Sequence, residues 1–63
     1  MVKSSFSERE GVLTRTIVGP ANQVYLDVTR EDEMVWNTTV SGENARAAQL
    51  EQAKIANVAR RGK

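Results

Sequence analysis

Hydrophobic and polar residues alternate in the middle of the chain, and this alternation predicts β-strands. The clearest stretch is residues 24–29. There the aliphatic residues Val24, Leu26 and Val28 alternate with Tyr25, Asp27 and Thr29, whose side chains end in polar groups. A period of two residues is typical of a strand with one buried face. Residues 12–18 are rich in β-branched side chains, and residues 34–40 alternate again, so we expect two further strands. Their short connections favour an antiparallel meander.

The first eleven residues lack this pattern. Ser5 and Ser7 each stand three residues before a glutamate, as in a capping box at the start of a helix, but no apolar periodicity follows either of them. Gly11 then interrupts the segment. We therefore expect residues 1–11 to be a flexible N-terminal arm with one helical turn at most.

After Val40 the composition changes to that of a helix. Ser41 is a suitable N-cap, Glu43 suits the positive end of the helix dipole, and Gly62 suits the position just past the end. Residues 43–61 contain six of the seven alanines and no glycine or proline. This composition predicts one α-helix, with the basic residues of the tail in and after its last turn.

Together these elements predict an α+β fold of the order β-β-β-α. It has a flexible arm at 1–11, a three-stranded antiparallel meander at 12–40 and an alanine-rich C-terminal helix at 41–63. We expect the helix to cover the more apolar face of the sheet, formed by Val24, Leu26, Val28, Met34 and Trp36. At 100° per residue most helical alanines share one side with Ile55 nearby, whereas Leu50 is grouped with charged residues.

Length and composition exclude several function classes. The chain has 63 residues, a net charge of +1, and no cysteine or histidine. There is thus no disulfide framework, thiol nucleophile, zinc finger, Ser-His-Asp triad or haem ligand set. The remaining acids and bases fall in no catalytic motif, so we expect neither an enzyme nor a bound cofactor. A core this small barely offsets the entropy of ordering the chain, which favours stabilisation by a binding partner.

An acidic stretch is the nearest approach to a metal site. Glu31, Asp32 and Glu33 follow Asp27 closely, and such carboxylates can bind calcium or magnesium. An EF-hand loop starting at Asp27 would need glycine at its sixth position and glutamate at its twelfth, where the chain has Asp32 and Thr38. We therefore predict no metal site and interpret the acids as a solvated turn.

The leading functional hypothesis is a small non-catalytic interaction or structural subunit. It would self-associate or dock onto a larger assembly through its C-terminal helix and exposed strand edges, with the N-terminal arm ordering on contact. The helix is poor in large side chains, so we expect the partner to bind there rather than at the sheet core. The predicted partner-binding residues are Tyr25, Leu50, Ile55 and Val58.

Two alternatives remain open. One is a small DNA- or RNA-binding regulator that uses the sheet and a basic helical stripe. The predicted phosphate contacts are Arg46, Lys54, Arg60, Arg61 and Lys63. The same stripe is also explained by a solvated face with Glu43–Arg46 and Glu51–Lys54 pairs. The other alternative is an inhibitor that occupies the groove of a larger enzyme, which the sequence does not separate from the leading hypothesis.

The longest uninterrupted apolar runs are three residues, such as Met34-Val35-Trp36, far short of a membrane span. The first residues have no apolar run typical of a signal peptide. We therefore expect the protein in the cytoplasm or inside a larger assembly.

Overall fold

The computed structural model describes residues 3–61, which form a four-stranded antiparallel sheet followed by one α-helix. The strands follow one another in the sheet in chain order, as a meander. Their bounds are β1 Lys3–Arg9, β2 Val12–Val18, β3 Val24–Arg30 and β4 Glu33–Val40, and the helix is α1 Ala45–Arg61. Single 3₁₀ turns, Pro20–Asn22 and Gly42–Asn44, connect β2 to β3 and β4 to α1. The predicted α+β meander with a C-terminal helix is confirmed, but the predicted number of strands is wrong.

The additional strand is β1, which pairs with β2 along its whole length. The flexible arm predicted for residues 1–11 is therefore wrong for residues 3–9, and Met1 and Val2 lie outside the described residues. All residues of β1 are exposed, so no hydrophobic pattern marks it. The strand is held instead by backbone hydrogen bonds to β2, reached through a two-residue turn. Glu10 and Gly11 have φ of 53° and 81°, the left-handed values that a tight hairpin turn requires.

The helix covers the face of the sheet that the sequence predicts. Residues directly opposite one another in an antiparallel pair point to the same side, so the register assigns each strand residue to a face. On the covered side Leu26 and Val28 are fully buried. The main hydrophobic cluster joins strands and helix: Val12, Val28, Ala56 and Ala59, with Trp36 and Ile55 packed against it.

Met34 departs from the predicted face. The pairing of β3 with β4 shifts by one residue between Val28 and Thr29, so Trp36 stays opposite Val28 while Met34 moves opposite Thr29. A β-bulge of this kind inserts one extra residue, here Val35, into β4. The insertion breaks the two-residue alternation of side chains on which the predicted position of Met34 depended. Met34 is consequently 51% exposed rather than part of the core.

The helix is preceded by a 3₁₀ turn without a side-chain cap and with a close backbone approach. Ser41 stands at the predicted cap position, but its side chain makes no capping hydrogen bond; its carbonyl accepts the Asn44 N–H at 3.0 Å. A Cβ on Gly42 would lie 2.6 Å from the Cβ of Asn22, so the chain has glycine where the two connections cross. The predicted C-terminal glycine, Gly62, lies outside the described residues. No helix within residues 3–61 is long and apolar enough to cross a membrane.

Candidate interaction surface

The face of the sheet opposite α1 is covered by no other element of residues 3–61, and we call it the open face. Within residues 3–61, α1 is the only element packed on the sheet, and it packs on the other side. By register the open face comprises Phe6, Glu8, Leu13, Arg15, Ile17, Tyr25, Asp27, Thr29, Met34, Asn37 and Thr39, with Ser4 at one corner. Val35, the unpaired residue of the bulge, belongs to the same face because it alternates with Trp36 on the covered side.

Large apolar side chains are exposed along both edges of the open face. Phe6 on β1 is 59% exposed, and Met34 and Val35 on β4 are 51% and 46% exposed. Between these edges Leu13 and Ile17 are only half-buried. These exposed apolar groups lie on the two edge strands with the central strands between them, and they make the open face a candidate binding surface.

An ion pair occupies the centre of the open face. Arg15 and Asp27 lie directly opposite one another on β2 and β3. The Nη2 and Nε atoms of Arg15 lie 2.5 Å and 3.0 Å from Oδ2 of Asp27. The side chain of Asp27 is only 2% exposed and that of Arg15 is 35% exposed. The hydrogen bond from Arg15 to this carboxylate raises the pKa of the guanidinium above its ordinary value, so Arg15 stays charged.

Tyr25 completes this central cluster. Its ring centroid lies 5.2 Å from the guanidinium carbon of Arg15, and its hydroxyl oxygen lies 3.5 Å from Nη2. A cation over an aromatic face is attracted by the ring quadrupole, and both side chains lose freedom before any partner binds. Tyr25, predicted as a partner-binding residue, thus lies on the open face beside a preorganised arginine.

On the covered side of the sheet, α1 binds the backbone of the same two residues, Arg15 and Asp27. Nε2 of Gln52 donates hydrogen bonds to the carbonyl oxygens of Arg15 and Asp27, at 3.1 Å and 3.2 Å. Gln52 is buried, and these bonds satisfy its amide group in the interior. The backbone of the two residues is therefore fixed by α1, while their side chains are fixed by one another.

The other predicted partner-binding residues are not brought together with Tyr25. Leu50 and Val58 are 62% and 63% exposed on the outer surface of α1, on the far side of the molecule from the open face. Ile55 packs against the hydrophobic core between helix and sheet. The four residues consequently occupy three separate places rather than one surface.

The predicted phosphate-binding residues lie on the helical side. Arg46, Lys54 and Arg61 are exposed on α1, whereas Arg60 is half-buried and donates a hydrogen bond to Oδ1 of Asn57. Lys63 lies outside the described residues. Neither the Glu43–Arg46 nor the Glu51–Lys54 pair forms a salt bridge in the described part of the chain, because the one salt bridge there joins Arg15 to Asp27.

The acidic stretch separates into parts with different surroundings. Glu31 and Asp32 form the turn between β3 and β4, whereas Asp27 is committed to Arg15. In residues 3–61 no three acidic side chains lie close enough together to hold a metal ion.

Sequence reasoning missed Phe6 and Arg15 as surface-forming residues. Phe6 lies in a segment without periodicity, so the strand that positions it was not predicted. Arg15 occupies a strand interior with β-branched neighbours, and that unusual position for a charge is a signal that could have been noticed.

No family model matches the chain, and comparison with curated proteins and with solved structures found no match either. The open face is therefore interpreted from its own chemistry: an apolar surface with a rigid Arg-Tyr-Asp cluster at its centre.

Proposed function

We propose that this protein is a small non-catalytic binding subunit that docks onto another protein surface through the open face. The observation that supports this proposal is the exposure of Phe6, Met34 and Val35 around a central tyrosine and arginine. Tyrosine and arginine are enriched at the energetic centres of protein interfaces, where neighbouring apolar groups exclude water. The proposed surface is thus a face of the sheet, whereas the sequence predicted the C-terminal helix and the exposed strand edges. A setting in the cytoplasm or inside a larger assembly stays a prediction.

The charge distribution favours a protein over a nucleic acid as the ligand of the open face. Its arginine is neutralised by Asp27, and its other charged side chain, Glu8, is acidic and repels phosphate. The exposed cations Arg46, Lys54 and Arg61 lie on the opposite side of the molecule from Phe6 and Tyr25. Base stacking on the sheet and phosphate contacts from the helix therefore do not combine on one surface.

Affinity capture with surface variants tests the proposal. The tagged chain would be incubated with extract of its source cells, and the captured proteins, including untagged copies of the chain, would be quantified by mass spectrometry. We expect Phe6→Ser combined with Met34→Ser to reduce capture of specific binders about tenfold or more, because two exposed apolar contacts are lost. The matched control, Leu50→Ser combined with Val58→Ser, removes similar apolar area from the helix and should retain capture.

The opposite result, loss of capture only in the helix variant, would contradict the proposal. Titration with duplex and single-stranded oligonucleotides addresses the nucleic-acid alternative. Contacts from three or four helical cations would give salt-dependent binding with a log–log slope of about −3 to −4 on duplex DNA. We expect no such binding at low salt, and a slope of that size that disappears in Arg46→Ala/Lys54→Ala would favour the alternative.

A further inference from the structure

Strand β1 leaves one edge of the sheet unpaired in the described part of the chain. The strand lies at the end of the sheet and pairs with β2 alone. Its residues, Lys3–Arg9, include no proline and keep an unbroken register with β2. The strand at the other edge, β4, is interrupted by the bulge at Val35. Bulges protect sheet edges from further pairing, so β1 has the more regular free edge of the two.

The turn between β1 and β2 decides which backbone groups lie along this free edge. Arg9 and Val12 enclose the two-residue turn, in which the first carbonyl accepts a hydrogen bond from the fourth N–H. Bonded and non-bonded pairs alternate along an antiparallel ladder, so Ser7 also directs its backbone groups towards β2. The Ser7 carbonyl accordingly accepts a hydrogen bond from the Thr14 hydroxyl at 3.3 Å. The residues whose N–H and C=O groups point away from β2 are then Ser4, Phe6 and Glu8.

The side chains of β1 determine which strand could bind along this edge. Arg9 is opposite Val12, a core residue, so Arg9 and Lys3 lie on the side of the sheet that α1 covers. Both are exposed, and neither forms an ion pair in the described part of the chain. Phe6 lies midway between them in sequence and on the open face. A further strand would therefore meet one cation near each end and an aromatic ring at the centre.

We propose that the free edge of β1 binds an extended acidic segment of another protein as an additional antiparallel strand. Opposite charges on directly opposed residues stabilise an antiparallel pair, and like charges destabilise it. The complementary segment has an apolar residue opposite Phe6 and an acidic residue three positions away on either side, opposite Lys3 and Arg9. Main-chain hydrogen bonds hold such a strand, and its side chains give specificity. This site goes beyond the open face and does not depend on it.

The same charges disfavour a second copy of the chain at this edge. Full alignment of two antiparallel β1 strands places Phe6 opposite Phe6. Lys3 of one copy then lies opposite Arg9 of the other at both ends, where like charges repel. A register shifted to avoid this contact leaves residues at the strand ends without partners.

Titration of the full chain with a charged peptide, followed by NMR, tests the proposal. The probe is the capped peptide Glu-Thr-Thr-Ile-Thr-Thr-Glu, and the control has lysine in place of both glutamates. We expect the probe to bind with a Kd of about 1 mM. The control should bind about fivefold more weakly or less, because its charged residues meet like charges. Equal binding of the two peptides would overturn the proposal, as would unchanged β1 resonances up to about 5 mM probe.

Charge reversal on β1 tests where the peptide binds. In Lys3→Glu/Arg9→Glu the preference should reverse, so that the lysine peptide binds more tightly. The matched control, Arg46→Glu/Lys54→Glu on α1, changes the net charge by the same amount and should keep the original preference. Reversal in the helix variant alone would mean that the peptides bind elsewhere and would overturn the proposal.

A proline on the free edge tests whether backbone hydrogen bonds hold the peptide. Phe6→Pro removes an N–H that points away from β2, a position at which an edge strand tolerates proline. We expect it to abolish probe binding, whereas Phe6→Ala, which loses the same ring but keeps the N–H, should retain measurable binding. Equal binding by the two variants would contradict strand addition. If Phe6→Pro proves unfolded by circular dichroism, the charge reversal still decides the proposal.

Amide hydrogen exchange distinguishes the acidic segment from a second copy. With the probe bound, exchange should slow at Phe6 and Glu8, while Ser5 and Ser7 are protected by β2 with or without it. Protection of Phe6 that instead rises with protein concentration, in the absence of peptide, would overturn the proposed partner. Failure of the peptide to bind would leave the open-face proposal standing, because capture from extract tests that surface separately.

Discussion

The two faces of the sheet use different chemistry, although the same four strands form both. On the covered face, aliphatic strand residues such as Leu26 and Val28 meet a helix surface of alanines, and burial is nearly complete. On the open face the intervening residue Asp27 pairs with Arg15, and Tyr25 beside this ion pair is partly exposed. Alternation along one strand thus separates a covered aliphatic side from a side with polar and partly exposed groups.

The comparison also shows why alanine suits this helix. Small side chains let α1 approach the sheet closely, so the large strand residues fill the space between them without large partners on the helix. The helix packs on β2, β3 and β4 and leaves β1 at the edge. A helix poor in large side chains is therefore adequate to cover its own face, and the surface that lacks cover is on the other side of the sheet.

Removing side-chain volume from the core should give the largest difference in stability between variants on the two faces. Leu26 is fully buried, so Leu26→Ala should lower the free energy of unfolding by about 3 kcal/mol through lost burial and a residual cavity. The control is Phe6→Ala on the open face, where we expect a change below about 0.5 kcal/mol in a dilute, monomeric sample. Urea denaturation followed by circular dichroism measures both, and similar losses in the two variants would mean that the faces do not differ as described.

Removing the charge of the buried Asp27 should have the next largest effect on the free energy of unfolding. Asp27→Asn keeps the shape of the side chain but removes the charge that accepts two hydrogen bonds from Arg15. We expect a loss of about 2 kcal/mol in the free energy of unfolding, the range for hydrogen bonds to a buried charged group. Glu51→Gln, the same kind of change on the exposed side of the helix, should have little effect. An unchanged midpoint for Asp27→Asn would show that the ion pair contributes nothing to the fold.

Optimising the turn between β3 and β4 should produce the smallest change in the free energy of unfolding. Unlike the other two changes, it should increase stability. Glu31 and Asp32 adopt φ of 53° and 66°, which non-glycine residues occupy at a cost. Replacing them by Asn-Gly, the preferred pair of such hairpin turns, should stabilise the chain by about 1 kcal/mol. The substitution touches neither face, so binding through the open face should not change, as affinity capture with the variant would establish. Destabilisation would indicate that Glu31 or Asp32 makes an interaction the backbone does not reveal.

The elements that the sequence predicts correctly are those with periodic side chains. Val24, Leu26 and Val28 alternate because one face of β3 is buried, and the alanine spacing matches the side of α1 that meets the sheet. Strand β1 was missed because its residues are all exposed and mostly polar, so the backbone pairing that forms it leaves no mark on its pattern. The Glu10-Gly11 pair, which lies between two segments of equal length, is the one feature of the sequence that indicates this hairpin.

The centre of the open face was beyond prediction for a different reason. Arg15 and Asp27 are twelve residues apart, and only the register of β2 against β3 brings them together. In the sequence, proximity groups Asp27 with the acids of the following turn, which we interpreted as solvated. Tyr25 was correctly separated from Trp36 because the two positions are on different sides of neighbouring strands, but its arginine neighbour depends on the same unpredicted register.

The amide of Gln52 has a consequence for the uniqueness of the fold. A stripe of alanines presents a smooth surface on which a helix could slide by one turn with little change in the area it buries. Gln52 interrupts that stripe with a group that must find hydrogen bonds, and the carbonyls of Arg15 and Asp27 supply them at one axial position. A slide in either direction would bury the amide without acceptors, at a cost of about 1–3 kcal/mol. One polar side chain on a helix face formed mostly by alanines, with Ile55 beside them, thus favours a single alignment of helix and sheet.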